Sequence, residues 1–374
     1  MRILQISSAR TFGGGERHVV DLCRGLAELG HDVFAAVRPT CMWRDRLDFL
    51  PDGRILEVTM RNSFGVLSAM KIADFARENG IQIIHAHVAR DYIPASIACM
   101  AAKGTRFILT RHVLFPLKPF NRFALKNVAS AIGVSEAAGK ALRNTFPAER
   151  ITVINNGIDL DRYDTRDADR LRKEFREFHS IPRDTPLVGT LGELKELKGQ
   201  RDFLLAAHEI LKAVPDCQFV VAGQDNTIDG RFRRELRRLV SVLGMEDRFI
   251  WLDWMQDTAP FYAGIDIFVS PSHSESFGLA ILEAMARGKA IVSTDTDGAR
   301  QLLDKCGRIV PIKDPVKLSR AVVEVLSRRM ELLEMGAKAK MEAADKYSLK
   351  KMIYSTEALY ESVLADAKGT SSGE

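Results

Sequence analysis

Short apolar runs alternate with longer amphipathic stretches along the 374-residue chain, and the series occurs twice. In the first half, apolar runs at 3–7, 33–37, 81–87, 107–112, 131–134 and 151–155 are separated by stretches at 16–29, 66–79, 92–102 and 136–144. The latter carry apolar residues at three- and four-residue spacing. That alternation is the pattern of parallel sheets with crossover helices, so the fold class is α/β. A charged stretch around 159–186 interrupts it, and a second series begins at 187–190, 218–222, 249–252, 265–269, 290–293 and 308–311. One core stops growing near roughly 250–300 residues, so the chain divides into two Rossmann-like doubly wound lobes, 1–165 and 166–348, with the hinge in the charged stretch. A last amphipathic helix at 349–366 has no strand after it, and the polar residues 367–374 are expected to be a disordered tail. Doubly wound sheets place ligands beyond the carboxyl ends of their strands, so the informative residues follow strands and face a cleft.

Composition removes several function classes. At 46% hydrophobic and 28% charged, the chain is globular and not disordered. Its apolar runs fall short of the roughly 20 residues that span a bilayer, and its start does not read as a secretory signal. Cys23, Cys41, Cys99, Cys217 and Cys306 are odd in number and never spaced Cys-x-x-Cys, which disfavours a disulfide framework or zinc ribbon and fits a reducing cytoplasm. The net charge of +5 is uneven: residues 1–165 hold 22 Lys and Arg against 16 Asp and Glu, leaving 32 against 33. A basic first half suits an anionic partner, or is an ordinary solvated surface. The run Arg231–Arg238 has Phe232, Leu236 and Leu239 on one helical face, so it reads as the outside of a helix, and no nucleic-acid partner is expected.

Four places carry the chemistry. Gly13-Gly14-Gly15-Glu16 links the first strand to a helix, where a side-chain-free backbone and a helix amino terminus suit a phosphate; a tight structural turn is the alternative. His85 and His87 share a strand face and His112 follows Arg111 at the end of another. No third metal ligand is evident beside His85 and His87, so they are read as structural, with His112 the functional candidate. Lys198, ahead of a helix starting near Gln200, can neutralise a diphosphate, with Lys195 as its competitor. Finally, after the strand at 265–269, Glu275 sits in a turn, Ser276-Phe277-Gly278 opens a helix into Leu279, and Glu283 follows. Ser274 or Ser276 is the expected cap. Two carboxylates flanking a helix start can hold hydroxyls at two ends of one ligand while amides take its phosphates, which suits a nucleotide-sugar.

Taken in order, Gly13-Gly-Gly-Glu16, His85-Ala-His87, Thr110-Arg-His112, Asn155-Asn-Gly-Ile-Asp159, Lys198-Gly199 and the Glu275-x7-Glu283 pair resemble the retaining glycosyltransferases of family 4, with the two-lobed GT-B fold. The resemblance implies that Glu275 contacts the transferred sugar, Glu283 the donor ribose and Lys198 the diphosphate. Amides near Gly14, Gly15, Ser276, Phe277, Gly278 and Leu279 would complete the phosphate site, with His112 beside the reacting sugar. It assigns the first lobe to the acceptor, near Glu16, His87 and Arg111, and the second to the nucleotide-sugar, and it packs the terminal helix on the first lobe. Two positions depart from the family pattern: Glu193 stands where an arginine beside the diphosphate is common, and Gln301 where a carboxylate is frequent. Lys195, Arg201 or a first-lobe arginine are the candidate replacements for that charge.

The implied reaction moves a sugar from a UDP-, GDP- or ADP-sugar to a hydroxyl of a glycan or lipid-linked acceptor, with no cofactor and no metal, in cell-surface polysaccharide or lipopolysaccharide assembly. Asp295 and Asp297 could hold magnesium by composition, but they fall in a loop that is not a metal site in the family. Segment 111–123, with aromatics among cations, reads as a peripheral contact with an anionic membrane or as a lid. The alternatives are a sugar-nucleotide 2-epimerase of the same fold, and a non-catalytic nucleotide-sugar binder.

Overall fold

The computed structural model describes residues 1–60, 65–163 and 166–371, with side chains to 366. Two residues of the expected hinge, 164–165, and the last three of the expected tail, 372–374, lie outside the described residues. The chain forms two compact units, Met1–Gly157 with Leu349–Glu374, and Ile158–Ser348.

In the first unit, β1 (Arg2–Ser7), β2 (Asp32–Val37), β3 (Ile55–Glu57), β4 (Ile83–Ala86), β5 (Arg106–Arg111), β6 (Val128–Gly133) and β7 (Ile151–Val153) form one sheet in the order β3-β2-β1-β4-β5-β6-β7. Every pairing in it is parallel. The strand β3 is not among the expected strands: it is three residues long, at the sheet edge and only partly buried. Helices cover both faces, which explains why β2 and β4 are largely apolar and why β1 is buried at all but its first residue. One core holds Leu4, Ile84 and Phe107; the other holds Ile3, Leu22, Trp43 and Tyr360. Tyr360 belongs to the terminal helix Leu349–Ser371, which packs on the helix Gly14–Glu28. Gly25 makes the room: a Cβ there would stand 2.0 Å from Cδ1 of Ile353. The helix runs through Ser371, past residue 366 where the polar composition predicts its end.

The second unit has β8 (Leu187–Leu191), β9 (Gln218–Ala222), β10 (Phe249–Leu252), β11 (Ile267–Ser270), β12 (Ala290–Thr294) and β13 (Arg308–Val310), ordered β10-β9-β8-β11-β12-β13 and again parallel. The charged helix Ala168–Phe178 is fastened to it: Arg172 and Arg176 reach the two oxygens of Asp266 at 2.7 and 2.9 Å, and the Leu187 N–H donates to the same carboxylate at 2.8 Å. The arginine-rich helix Arg231–Val242 buries Phe232, Leu236 and Val240. Arg231 pairs with Glu235 and Arg233 with Asp253, so its charge is the outside of a packed helix. Among the described residues, no helix is long and apolar enough to cross a membrane.

Strand order reverses between β1 and β4 in the first sheet and between β8 and β11 in the second. Open α/β sheets bind ligands at such switch points, beyond the carboxyl ends of the strands. The loops leaving β1 and β4 carry the glycine turn and His87; those leaving β8 and β11 carry Lys198 and Glu275.

Candidate active site

In the second unit the loops after β8 and β11 are laced together. The His273 N–H donates to the Leu197 carbonyl at 2.9 Å, and the backbone turn at Gly199 (φ 68°) lies so close to Pro271 that a Cβ would stand 1.9 Å from its carbonyl oxygen. Only glycine meets both demands, left-handed φ and no side chain. The approach brings the Lys198 Nζ to 2.5 Å from Oε2 of Glu275, with the side chains 26% and 18% exposed. From the other side, the Gly298 N–H donates to the Glu275 carbonyl at 3.0 Å, and a Cβ at Gly298 would meet the Phe277 carbonyl at 2.4 Å. Gly298 thus fixes the backbone beneath Glu275, a role no motif signals.

The helix after this turn is Leu279–Ala286, which corrects the expected start at Ser276. Its cap is Gly278 in a left-handed conformation (φ 98°) with no side-chain cap bond, so neither Ser274 nor Ser276 caps it. The chain reverses at glycine before the first helical turn, leaving Ser276, Phe277 and Gly278 in the turn itself, and Phe277 is fully buried with its ring 5.7 Å from that of Tyr347. Leu279 is the first helical residue. Glu283 is buried and accepts a 3.0 Å hydrogen bond from Thr258.

The departures from the family pattern also have local answers. Glu193 pairs with Lys195 and accepts from Asn226 at 3.1 Å. Burial pushes its carboxyl up, but those hydrogen bonds and the charges of Lys195 and Lys198 outweigh burial and hold it below the usual range. Arg201 pairs with Glu196 and Glu235. Asp295 and Asp297 both pair with Arg300, at 2.6 and 3.2 Å.

In the first unit, the helix starts at Gly14 behind an extended Gly13. None of Gly13, Gly14 and Gly15 has positive φ, so what they contribute is space. A Cβ at Gly15 would lie 3.8 Å from His112, and one at Gly13 3.2 Å from Oε2 of Glu16. His112 stands one residue past β5, and His87 one residue past β4, with 3.4 Å between His87 Nδ1 and His112 Nε2. Behind them Gln5 joins His87 Nε2 at 2.7 Å and donates to the Tyr360 hydroxyl at 3.0 Å; that hydroxyl meets His85 Nδ1 at 2.6 Å, and His85 Nε2 meets Thr110 at 2.7 Å. Burial, then the neighbouring rings, push His85, His87 and His112 well below the usual histidine range, with Arg111 adding to the effect at His112.

A fourth histidine, outside the sequence motifs, completes the group. His18 is buried, its ring 4.8 Å from His112 and 5.5 Å from His87, and burial lowers it to about 4. The sequence does carry a signal for it: His18 lies one helical turn after Gly14 and therefore faces the same way as the glycine turn. One ring nitrogen from each of His18, His87 and His112 lies within 4.8 Å of the others, while both nitrogens of His85 are taken by Tyr360 and Thr110. Arg111 is also buried, its guanidinium donating to the Phe115 carbonyl, so it belongs to the interior and not to an exposed basic surface. Asp91 takes the Ser8 N–H at 2.7 Å, and burial raises its carboxyl to about 6.

The family described as glycosyl transferases group 1 matches residues 185–328, and that described as Glycosyltransferase Family 4 matches residues 12–162. A lipopolysaccharide core biosynthesis glycosyltransferase of Rhizobium meliloti, LpsE, is 29% identical over 332 residues, covering 87% of this chain and 89% of its own. N-acetyl-alpha-D-glucosaminyl L-malate synthase of Bacillus anthracis is 25% identical over 95% of this chain and 96% of its own. Among solved structures, Anabaena HepE in complex with UDP-glucose superposes with a TM-score of 0.85 at 21% identity, covering 97% of this chain and 100% of that one. With two parallel-sheet lobes of the GT-B type and both family matches in their expected order, the chain belongs to the group 1, family 4 glycosyltransferases.

Proposed function

We propose that this glycosyltransferase takes a sugar from a nucleotide-diphosphate donor and passes it, with retention and without a metal, to a hydroxyl of a glycan or lipid-linked acceptor in bacterial lipopolysaccharide or polysaccharide assembly. The observation that carries the donor reading is the Lys198–Glu275 pair at the second sheet's switch point. The two charges satisfy each other. Both side chains are mostly buried, so the pair separates only when each charge is given a new partner, as an incoming diphosphate and sugar would do. Lys198 then turns to the diphosphate and Glu275 to the sugar hydroxyls, while Glu283 with Thr258 takes the ribose. The UDP-glucose complex of the Anabaena neighbour and the lipopolysaccharide core relative support the donor and pathway classes.

In this reading the bond from the sugar's anomeric carbon to the diphosphate oxygen breaks with its electron pair going to the diphosphate. The acceptor oxygen attacks the same face, and the departing phosphate takes its proton. Negative charge grows on the leaving group, where Lys198 and the amides of Ser276, Phe277, Gly278 and Leu279 act as the charge sink. Such a sink does the work that a divalent ion does elsewhere. His112, uncharged in its buried setting, serves beside the reacting sugar as a hydrogen-bonding group. Glu16 and His87 belong to the acceptor side. On the same unit Phe115, Phe120 and Phe123 are exposed beside Lys118, Arg122 and Lys126, a surface suited to an anionic bilayer. Arg111, being buried, is not part of it.

The test is the anomeric configuration of the product, read by NMR with a labelled donor in the presence of chelator. An inverted product, or transfer that requires added magnesium, rejects this mechanism. Donor converted to its 2-epimer with no acceptor present identifies an epimerase instead. Equal binding to anionic and neutral vesicles removes the membrane contact.

A further inference from the structure

We propose that His18, His87 and His112 form a binding site for one first-row transition ion of the zinc class, and that filling it silences transfer by occupying His112. The three side chains come from three elements of one unit: the helix Gly14–Glu28, the end of β4 and the end of β5. One ligand nitrogen from each lies within 4.8 Å of the others. His18 is the observation that points to a ligand. It is 6% exposed, and neither of its ring nitrogens has a hydrogen-bond partner. Asn156 approaches it without reaching hydrogen-bond geometry, and the Asn156 Oδ1 is likewise unsatisfied. A buried imidazole whose ring nitrogens have no partner is unfavourable unless something arrives to meet them.

The neighbouring ligand is oriented from behind. Gln5 donates its amide N–H to Tyr360, which leaves its carbonyl oxygen facing His87 Nε2; that nitrogen therefore carries the proton, and the lone pair is on Nδ1. Nδ1 points at His112 Nε2, 3.4 Å away. For zinc–nitrogen bonds of 2.0–2.1 Å, two ligands on a tetrahedron are separated by roughly 3.3 Å, so this pair already has the spacing of one edge, and His18 needs only a small approach to complete a face. Three protein nitrogens with a fourth position left over is the arrangement of an accessible zinc site. Imidazole donors select zinc, copper, nickel or cobalt over magnesium and calcium, so such a site is compatible with transfer that needs no magnesium. Arg111 lies next to His112 and no carboxylate belongs to the set, which keeps binding reversible. The ion site stands on geometry alone; the silencing rests on the role of His112 in the proposed reaction.

The experiment is titration of tag-free protein with cobalt(II), followed by visible ligand-field absorption, then displacement by zinc. We expect saturation at one ion per chain with the intense bands of a low-coordinate nitrogen site. His18→Gln, checked for folding by circular dichroism, should weaken binding by at least about 100-fold. Gln5→Leu, which removes only the orienting partner of His87, should weaken it by about 10- to 100-fold. His31→Gln, elsewhere in the same unit, should leave it unchanged. No saturable bands, or bands that survive His18→Gln in folded protein, overturn the site. Zinc should inhibit transfer over the concentration range in which it displaces cobalt. Displacement without inhibition overturns the silencing and the assigned role of His112 together, while leaving the ion site in place.

Discussion

Lys198 and Glu275 are 77 residues apart in the chain and meet with Nζ and Oε2 separated by 2.5 Å. The pair exists because β8 and β11 are neighbours at a topological switch point, so that the loops leaving them run side by side. If the pair is held ready for a donor, removing either partner should hurt catalysis far more than folding. Lys198→Ala is expected to lower kcat by about 100- to 1000-fold, the usual effect of losing one group that stabilises a leaving charge. The variant should remain folded, so that the loss of kcat is not a loss of native protein. Steady-state kinetics alongside urea denaturation checks both; a large stability loss with intact kcat would make the pair structural.

Gly199→Ala should damage transfer without touching any reacting side chain. The new Cβ would collide with the Pro271 carbonyl and force apart the loops that carry Lys198 and Glu275. Gly244 provides the control, since it has a similar φ of 65° and a Cβ there would meet nothing within 4 Å. Gly244→Ala should cost about 1–2 kcal/mol of backbone strain and leave kcat alone. Equal kinetics for the two variants would contradict the account of Gly199.

Tyr360→Phe tests how the terminal helix is tied in. The hydroxyl satisfies both Gln5 and His85 inside the first unit, and without it a buried donor and a buried ring nitrogen lose their partners. A loss of about 1–3 kcal/mol in unfolding free energy is expected. Stability indistinguishable from the parent protein would show that the chain of bonds is not needed.

Asp91 predicts a pH signature. Its folded pKa of about 6 lies above the ordinary 3.8, so the ionised side chain disfavours the native state above pH 6. That penalty fades as pH falls from 6 towards 3.8, where the folded protein holds a proton that the unfolded chain has released. Asp91→Asn, which cannot ionise, should therefore compare more favourably with the parent at pH 8 than at pH 5. Urea unfolding at the two pH values measures it, and the same difference at both would refute the shift.

How much of this is legible in the sequence depends on the range of the interaction involved. The strands of both sheets announce themselves because covered parallel strands must be apolar on both faces; Ile55–Glu57, short and at an edge, does not. Glu275, Glu283 and Lys198 can be picked out as strand-end residues, but that Lys198 touches Glu275 follows from strand order, which no local pattern encodes. The start of the helix at Leu279 is hidden for a different reason: a serine-rich turn resembles a cap, while the left-handed Gly278 is what ends the loop. His18 is missed because it sits inside an amphipathic helix, where a lone histidine looks like one more half-buried polar residue. Its meaning comes from the ends of β4 and β5, about 70 to 95 positions further on, arriving at the same place.

The most direct test of the donor assignment is thermal stabilisation of the purified protein by the diphosphates of uridine, guanosine and adenosine and by their sugars, in chelator and again with magnesium. At 100 times its dissociation constant, a ligand bound only by the folded state adds about 2.7 kcal/mol, a readily measured rise in Tm. The account predicts a rise specific to one base, unchanged by magnesium and largely lost in Lys198→Ala. No rise with any of them, or a rise that survives Lys198→Ala at full size, would contradict the claim that Lys198 and Glu275 await a nucleotide-sugar.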